Sequence, residues 1–215
     1  MIRPARSGLY AINAETTDSQ VLLAWAQAVL EGGAGWIQYR DKSQDRRRRL
    51  QQASALVSLC RQFGARLIIN DDVGLADTCG ADGVHLGRCD GEVADARARL
   101  GARAIIGVSC YDDLDRARAQ ARAGASYLAF GAFHASSSKP GARSAGPEIL
   151  SHARELELPL VAIGGITPDN GAALIRAGAD WLAVIAGLQG PPGHVSSLAR
   201  RYVELFNSHP TELPP

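Results

Sequence analysis

Lysine is almost missing from this chain: 2 of its 215 residues, against 21 arginines. A charge excess is missing too. The 23 basic and 22 acidic residues leave a net charge of +1, which excludes the broad basic face of a general nucleic-acid or anionic-membrane binder. No apolar run approaches the ~20 residues that a membrane span needs. The stretch from Met1 to Gly8 lacks the apolar segment of a signal peptide. The cysteines, Cys60, Cys79, Cys89 and Cys110, contain no CxxC pair, which argues against a zinc or redox motif. Free thiols suit a reducing compartment, so the cytoplasm is expected. The densest charge run, Arg46 to Arg49, reads as the exposed start of a helix. What remains, 46% hydrophobic and 21% charged residues, is the composition of a globular domain, with no disordered or fibrous signature.

A repeat organises the chain. Gly-Ala stands at Gly33-Ala34, Gly64-Ala65, Gly80-Ala81, Gly101-Ala102, Gly124-Ala125 and Gly178-Ala179, each time just before an apolar run. Glycine supplies the left-handed turn that ends a helix. The runs that follow begin at Trp36, Leu67, Val84, Ile105, Tyr127 and Trp181 and read as strands buried on both faces. Leu9-Tyr10-Ala11-Ile12 and Leu160-Val161-Ala162-Ile163 complete eight strands. Helical stretches are expected at 18–31, 45–63, 73–79, 91–100, 112–123, 147–156, 168–177 and 196–207, with Asp18, Asp45, Asp112 and Thr167 as N-caps or first-turn residues. Strict alternation predicts a single-domain (β/α)8 TIM barrel over residues 1–209, with a frayed tail at 210–215. The competing doubly wound sheet would normally carry a glycine-rich turn after its first strand. Asn13-Ala14-Glu15-Thr16 has no glycine.

Active sites of such barrels lie at the C-terminal strand ends, and polar residues concentrate there. The second strand ends in Gln38-Tyr39-Arg40-Asp41-Lys42, the third in Asn70-Asp71-Asp72, and the fourth is followed by Gly87-Arg88-Cys89-Asp90. Period-2 alternation puts Gln38, Arg40 and Lys42 on one face. Taken singly, Asp71 or Asp90 reads as well as a helix cap. As a pair beside basic residues they suit a hard cation such as Mg²⁺, completed by substrate phosphate oxygens. Both lysines, Lys42 and Lys139, fall on this face. Lys139 follows Ser136-Ser137-Ser138, a hydroxyl-rich loop suited to covering a phosphate. The seventh strand ends in Gly164-Gly165-Ile166-Thr167-Pro168 and the eighth in Ile185-Ala186-Gly187. Those two loops form the usual backbone phosphate site of the fold. A barrel with one metal-assisted diphosphate site and one phosphate site suits the joining of two phosphorylated small molecules.

These motifs resemble the thiamine phosphate synthase family over nearly the whole chain, from Gly8 to about Gly187. The resemblance rests on Gln38 to Lys42, Ile69-Asn70-Asp71, Gly83-Val84-His85-Leu86-Gly87 with Asp90, Gly107-Val108-Ser109, Ser136 to Pro140, and Ile163 to Thr167. It implies a Mg²⁺-dependent condensation of a hydroxymethylpyrimidine diphosphate with a thiazole phosphate, giving thiamine phosphate and pyrophosphate. It further implies that Gln38, Tyr39, Arg40, Asp41, Lys42, Asn70, Ser109 and Lys139 hold the pyrimidine diphosphate. Within that set Lys139, Arg40 and Ser109 are the catalytic residues. Ser136, Ser137, Ser138, Gly165, Ile185 and Ala186 would take the thiazole phosphate, and Asp71 and Asp90 one Mg²⁺ per subunit.

The chain departs from the family pattern at Arg88, where glutamine is usual, at the serines of the loop, where threonines are usual, and at Ala186, where a small hydroxyl residue is common. Three other functions compete with this one. A thiazole tautomerase tends to lose parts of the diphosphate apparatus, and all of it is present here. A non-catalytic regulator would bind substrates without releasing pyrophosphate. A Schiff-base aldolase needs a lysine desolvated inside the barrel, and both lysines sit among anion-binding residues. His85 reads as a structural strand residue, and His134 as a residue of the covering loop to which the sequence assigns no substrate contact.

Overall fold

The computed structural model describes residues 7–135 and 145–208. Eight strands, β1 (Gly8–Ile12), β2 (Trp36–Tyr39), β3 (Arg66–Asn70), β4 (Gly83–Leu86), β5 (Ile105–Tyr111), β6 (Tyr127–Phe130), β7 (Leu160–Ile163) and β8 (Trp181–Val184), pair in parallel and close through β1–β8 into a barrel. The helices between and after them are α1 (Ser19–Glu31), α2 (Arg46–Gln62), α3 (Val73–Cys79), α4 (Val93–Leu100), α5 (Leu114–Arg122), α6 (Glu148–Ala153), α7 (Gly171–Arg176) and α8 (Pro192–Ser208), with short 3-10 turns at Arg154–Leu156 and Ala186–Leu188. The expected (β/α)8 barrel is the observed one. No helix among the described residues is long and apolar enough to cross a membrane. The tail at 210–215 and the loop residues Ser136 to Lys139 lie outside the described residues.

The Gly-Ala repeat has a single physical cause. In all six copies the glycine takes a positive φ, and in five its N–H bonds back three residues while the alanine N–H bonds back five. Gly33 N–H to Leu30 O (2.9 Å) with Ala34 N–H to Val29 O (3.0 Å) is one copy. This is the Schellman turn, which satisfies the last helical carbonyls and reverses the chain into the next strand. Gly101-Ala102 differs. Gly101 closes on Arg97 O, and the strand N–H is reached only at Ala104 and Ile105.

Some boundaries differ from expectation. Asp18 and Asp45 cap α1 and α2, whereas α5 is capped by Asp113 and not Asp112. The helix expected from 168 begins at Gly171, because the Asn170 side chain accepts from Thr167 N–H and donates to Gly165 O, folding 168–170 into a turn. The expected helix at 196–207 begins earlier, at Pro192. The Arg46 to Arg49 run is only partly an exposed helix face. Arg48 pairs with Asp41 (3.2 Å), and Arg49 pairs with Asp72 (2.8 Å).

Strand alternation splits the core in two. Outward residues such as Leu9, Ile37, Leu67, Val84 and Leu128 pack under the helices. The inward set is dominated by Tyr10, Trp36, Tyr127 and Trp181, with Ile12, Ile68, Ala129, Val161 and Ala183. Trp36 and Trp181 stack at 4.1 Å, and Tyr10 meets Trp36 edge-on at 5.3 Å. Four large rings fit because small residues face them. A Cβ on Gly107 would lie 1.8 Å from Cζ of Tyr127. Gly107→Ala should therefore overpack the barrel by about 1–3 kcal/mol, a loss of roughly 2–12 °C in Tm for a domain of this size. Thermal denaturation checks it.

Candidate active site

The C-terminal ends of β2, β3 and β4 frame a polar cleft of about 480 Å³ whose lining includes Asp41, Lys42, Arg49, Asn70, Asp71 and Asp90. Three strand ends that are far apart in sequence thus meet at one place. Asp71 takes a left-handed φ of 64°, and its backbone N–H bonds to His85 O (2.8 Å), so the turn after β3 is tied to β4. Its carboxyl stands beside that of Asp90, with the Lys42 ammonium 3.8 Å away. Burial first, and then the hydrogen bond and like charge of Asp90, push the Asp71 carboxyl above its ordinary range. Lys42 and Asn70 offset only part of this. Asp90 is itself held by Gly87 N–H (2.9 Å).

Two carboxylates in contact, with one ammonium at the edge, form a donor set that favours an added cation. Among the described residues no group of three or more His, Cys, Asp or Glu side chains could hold a metal. The pair fits a magnesium-type ion that takes one or two carboxylates and completes its shell with water and phosphate oxygens.

The other expected residues separate into three groups. Gln38 and Ser109 face inward at the upper end of the barrel, in register with Ile68 on β3 and Ala129 on β6. Gly165, Ile185 and Ala186 lie at the ends of β7 and β8, across the mouth from the carboxylates. Tyr39 is not brought to the cleft. It is one residue out of phase with Gln38, belongs to the core beneath the helices, and gives its hydroxyl to Gln52 (2.7 Å). Asp41 reaches the cleft but serves the loop. Burial alone would raise its carboxyl, yet the hydrogen bonds from Ser43 and Arg48 hold it below the ordinary range. Ser136, Ser137, Ser138 and Lys139 fall outside the described residues.

Several contributors had no sequence signal. Asn13, buried at the end of β1, accepts from Arg40 N–H (2.7 Å) and donates to Arg40 O (3.0 Å), clamping the backbone of β2 where it enters the site. Glu15 pairs with the Arg40 guanidinium, an exposed contact that an anionic ligand can replace at little cost. Arg116 donates to Ser109 O (2.8 Å) and Gly87 O (3.4 Å), joining the ends of β4 and β5. Arg88 lies over the Tyr111 ring at 5.0 Å, a cation–π contact that accounts for its guanidinium. His85 is buried between Tyr127 OH (2.9 Å, through Nδ1) and Ser109 Oγ (2.9 Å, through Nε2), so this strand histidine touches an expected substrate-binding residue. Gly164 and Gly165 face the backbone of 132–135. His134 N–H bonds to Gly164 O (3.1 Å), and a Cβ on Gly165 would meet Ala135 O at 2.5 Å.

A family model described as "Thiamine monophosphate synthase" matches residues 9–188. The chain belongs to that family. A thiamine-phosphate synthase of Thiobacillus denitrificans is 50% identical over 98% of this chain and 100% of its own length. One from Chromobacterium violaceum is 54% identical over 86% of this chain and 89% of its own. Among solved structures, a thiamine phosphate pyrophosphorylase from Pyrococcus furiosus superposes with a TM-score of 0.82 at 29% identity, covering 95% of this chain and 98% of that one. A tryptophan synthase structure from Mycobacterium tuberculosis, at 17% identity and a TM-score of 0.70, shares the barrel fold alone.

The geometry of the carboxylate pair yields a test. A folded-state pKa raised above the unfolded value means that ionised Asp71 works against folding at neutral pH when no cation is added. Asp71→Asn keeps the shape, and asparagine accepts a left-handed φ. The variant should melt higher than the parent without Mg²⁺, lose most of the Tm gain that Mg²⁺ gives the parent, and lose more than about tenfold in turnover. Thermal melts with and without MgCl₂ read the first two effects.

Proposed function

We propose that this chain makes thiamine phosphate by joining a hydroxymethylpyrimidine diphosphate to a thiazole phosphate. It is a thiamine-phosphate synthase, a transferase whose leaving group is pyrophosphate. The observation that carries the assignment of roles is the contact of Asp71 and Asp90 beside Lys42, at the mouth of a barrel whose upper inward positions are Gln38 and Ser109.

In this reading Gln38, Asn70 and Ser109 hold the pyrimidine, and Arg40 and Lys42 face its diphosphate. Asp71 and Asp90 would hold Mg²⁺, and the chemistry such an ion supplies when bound is neutralisation of charge on the departing diphosphate. The C–O bond to the pyrimidine methylene breaks with its electron pair going to pyrophosphate. The electron-rich aminopyrimidine stabilises the cation left behind. The lone pair of the thiazole nitrogen then forms the new C–N bond. No protein nucleophile and no proton transfer are required. The protein's tasks are to fix the diphosphate by charge, to hold the thiazole phosphate against the backbone of Gly165, Ile185 and Ala186, and to keep water from the cation. Lys139, from its place after the serine run, is the cation assigned to the diphosphate, with Ser136, Ser137 and Ser138 on the thiazole side.

Pyrophosphate release in the presence of both substrates and Mg²⁺, with thiamine phosphate formed, is the expected result. Binding of substrates with no release would remove the assignment. Lys139→Ala should lower turnover by roughly 10²–10³-fold, the usual scale for a preorganised charge donor in a water-excluded site. A loss under about threefold would remove lysine from the role.

A further inference from the structure

The inward rings Tyr10 and Tyr127 carry hydroxyls that reach no solvent, and each is spoken for on two sides. The Gln38 side-chain nitrogen lies 2.7 Å from Tyr10 OH, Tyr10 OH lies 3.0 Å from Tyr127 OH, and Tyr127 OH lies 2.9 Å from His85 Nδ1. His85 Nε2 lies 2.9 Å from Ser109 Oγ. An unbroken hydrogen-bonded line therefore crosses the barrel from β2 through β1, β6 and β4 to β5, joining two residues that the proposed function places on the same pyrimidine ring.

The proton count restricts this line. A phenol has one proton, and so does a neutral imidazole. Burial pushes both phenols well above their ordinary pKa, so both stay protonated. A member with a partner on each side must then donate to one and accept from the other. With His85 neutral, the line runs head to tail. With the Gln38 amide nitrogen turned to Tyr10, as it stands here, Tyr10 donates to Tyr127, Tyr127 to His85 Nδ1, and His85 Nε2–H to Ser109. Gln38 then offers its carbonyl oxygen to a ligand and Ser109 offers its hydroxyl proton. That acceptor–donor pair complements an amine and a ring nitrogen of an aminopyrimidine. Turning Gln38 over reverses every bond and both offers.

We propose that Tyr10, Tyr127 and His85 are positioning residues that couple the hydrogen-bonding sense of Gln38 to that of Ser109, so that the pyrimidine is read by both at once. The inference rests on the pyrimidine reading of the site. It differs from ordinary core packing in making two residues on separate strands energetically dependent on one another through a third that does not touch the ligand.

The test is a double-mutant cycle measured twice. Gln38→Ala and Ser109→Ala, singly and together, are compared by kcat/KM for the pyrimidine diphosphate, first in the parent and then with Tyr127→Phe. The single losses should fail to multiply in the parent, and that non-additivity should shrink at least threefold with phenylalanine at 127. Coupling that passes only through the ligand survives Tyr127→Phe unchanged, and that result would overturn the proposal. Tyr10→Phe cuts the same line elsewhere and serves if Tyr127→Phe does not fold. KM for the thiazole phosphate should stay within about twofold. Imidazole ¹⁵N shifts of His85 supply a readout independent of turnover. The parent should show the neutral Nε2–H form, and Tyr127→Phe a mixture of tautomers. An unchanged tautomer would sink the proposal even in a protein with no synthase activity, whereas absent turnover with the expected shift would count against the pyrimidine reading alone.

Discussion

A hydroxyl sealed in a barrel must find its partners there, and this chain seals in two. Tyr10 and Tyr127 belong to the aromatic plug of the barrel, yet each ends in a group whose burial without a hydrogen bond would cost about 1–3 kcal/mol. Much of the upper barrel follows from that constraint. The plug needs Gly107 beneath Tyr127, and above it Gln38, His85 and Ser109 form a polar floor. The floor of the site is thus the lid of the core. Substitutions that repack the rings should also disturb ligand contacts.

The two ends of the barrel divide stability from activity, as the fold generally does. At the end away from the cleft, buried or half-buried ion pairs and carbonyl contacts close the strands. Arg154 grips Asp180, which also accepts from Leu160 N–H, while Arg97 donates to carbonyls of Gly101, Ala102, Ala104 and Gly124. At the cleft end the charges are left poorly matched: two carboxylates in contact and a lysine at 3.8 Å. The mismatch sits where the proposed cation would bind, and the well-matched pairs sit at the other end.

Five of the eight strands were legible because the helix before each ends in the same backbone device, and a Schellman turn writes itself as glycine followed by a small residue. The approach of Asp71 to Asp90 was legible because Asp71 directly follows β3 and Asp90 stands four residues after β4, so neighbouring strand ends bring the two together. Tyr39 entered with the contiguous motif Gln38 to Lys42, although the same alternation that groups Gln38, Arg40 and Lys42 turns it outward to Gln52. Asn13, Arg116, Tyr10 and Tyr127 were missed for a different reason. Their roles depend on which backbone atom or hydroxyl lies opposite across the barrel, a relation between distant strands that no local spacing records. The Arg46 to Arg49 run misled in the same way, since its partners Asp41 and Asp72 sit on other loops.

The stacked pair Trp36 and Trp181 joins the second strand to the last. Tyr10 on β1 similarly waits for Tyr127 on β6, and β1 completes its pairing only when β8 arrives. A barrel without β8 would lack both the strand that closes the ring and the indole stacked on Trp36. Closure of the ring and filling of the plug both depend on contacts of long sequence separation, the kind that form slowly. The plug is therefore assembled from residues that the sequence holds far apart, from Tyr10 on β1 to Trp181 on β8.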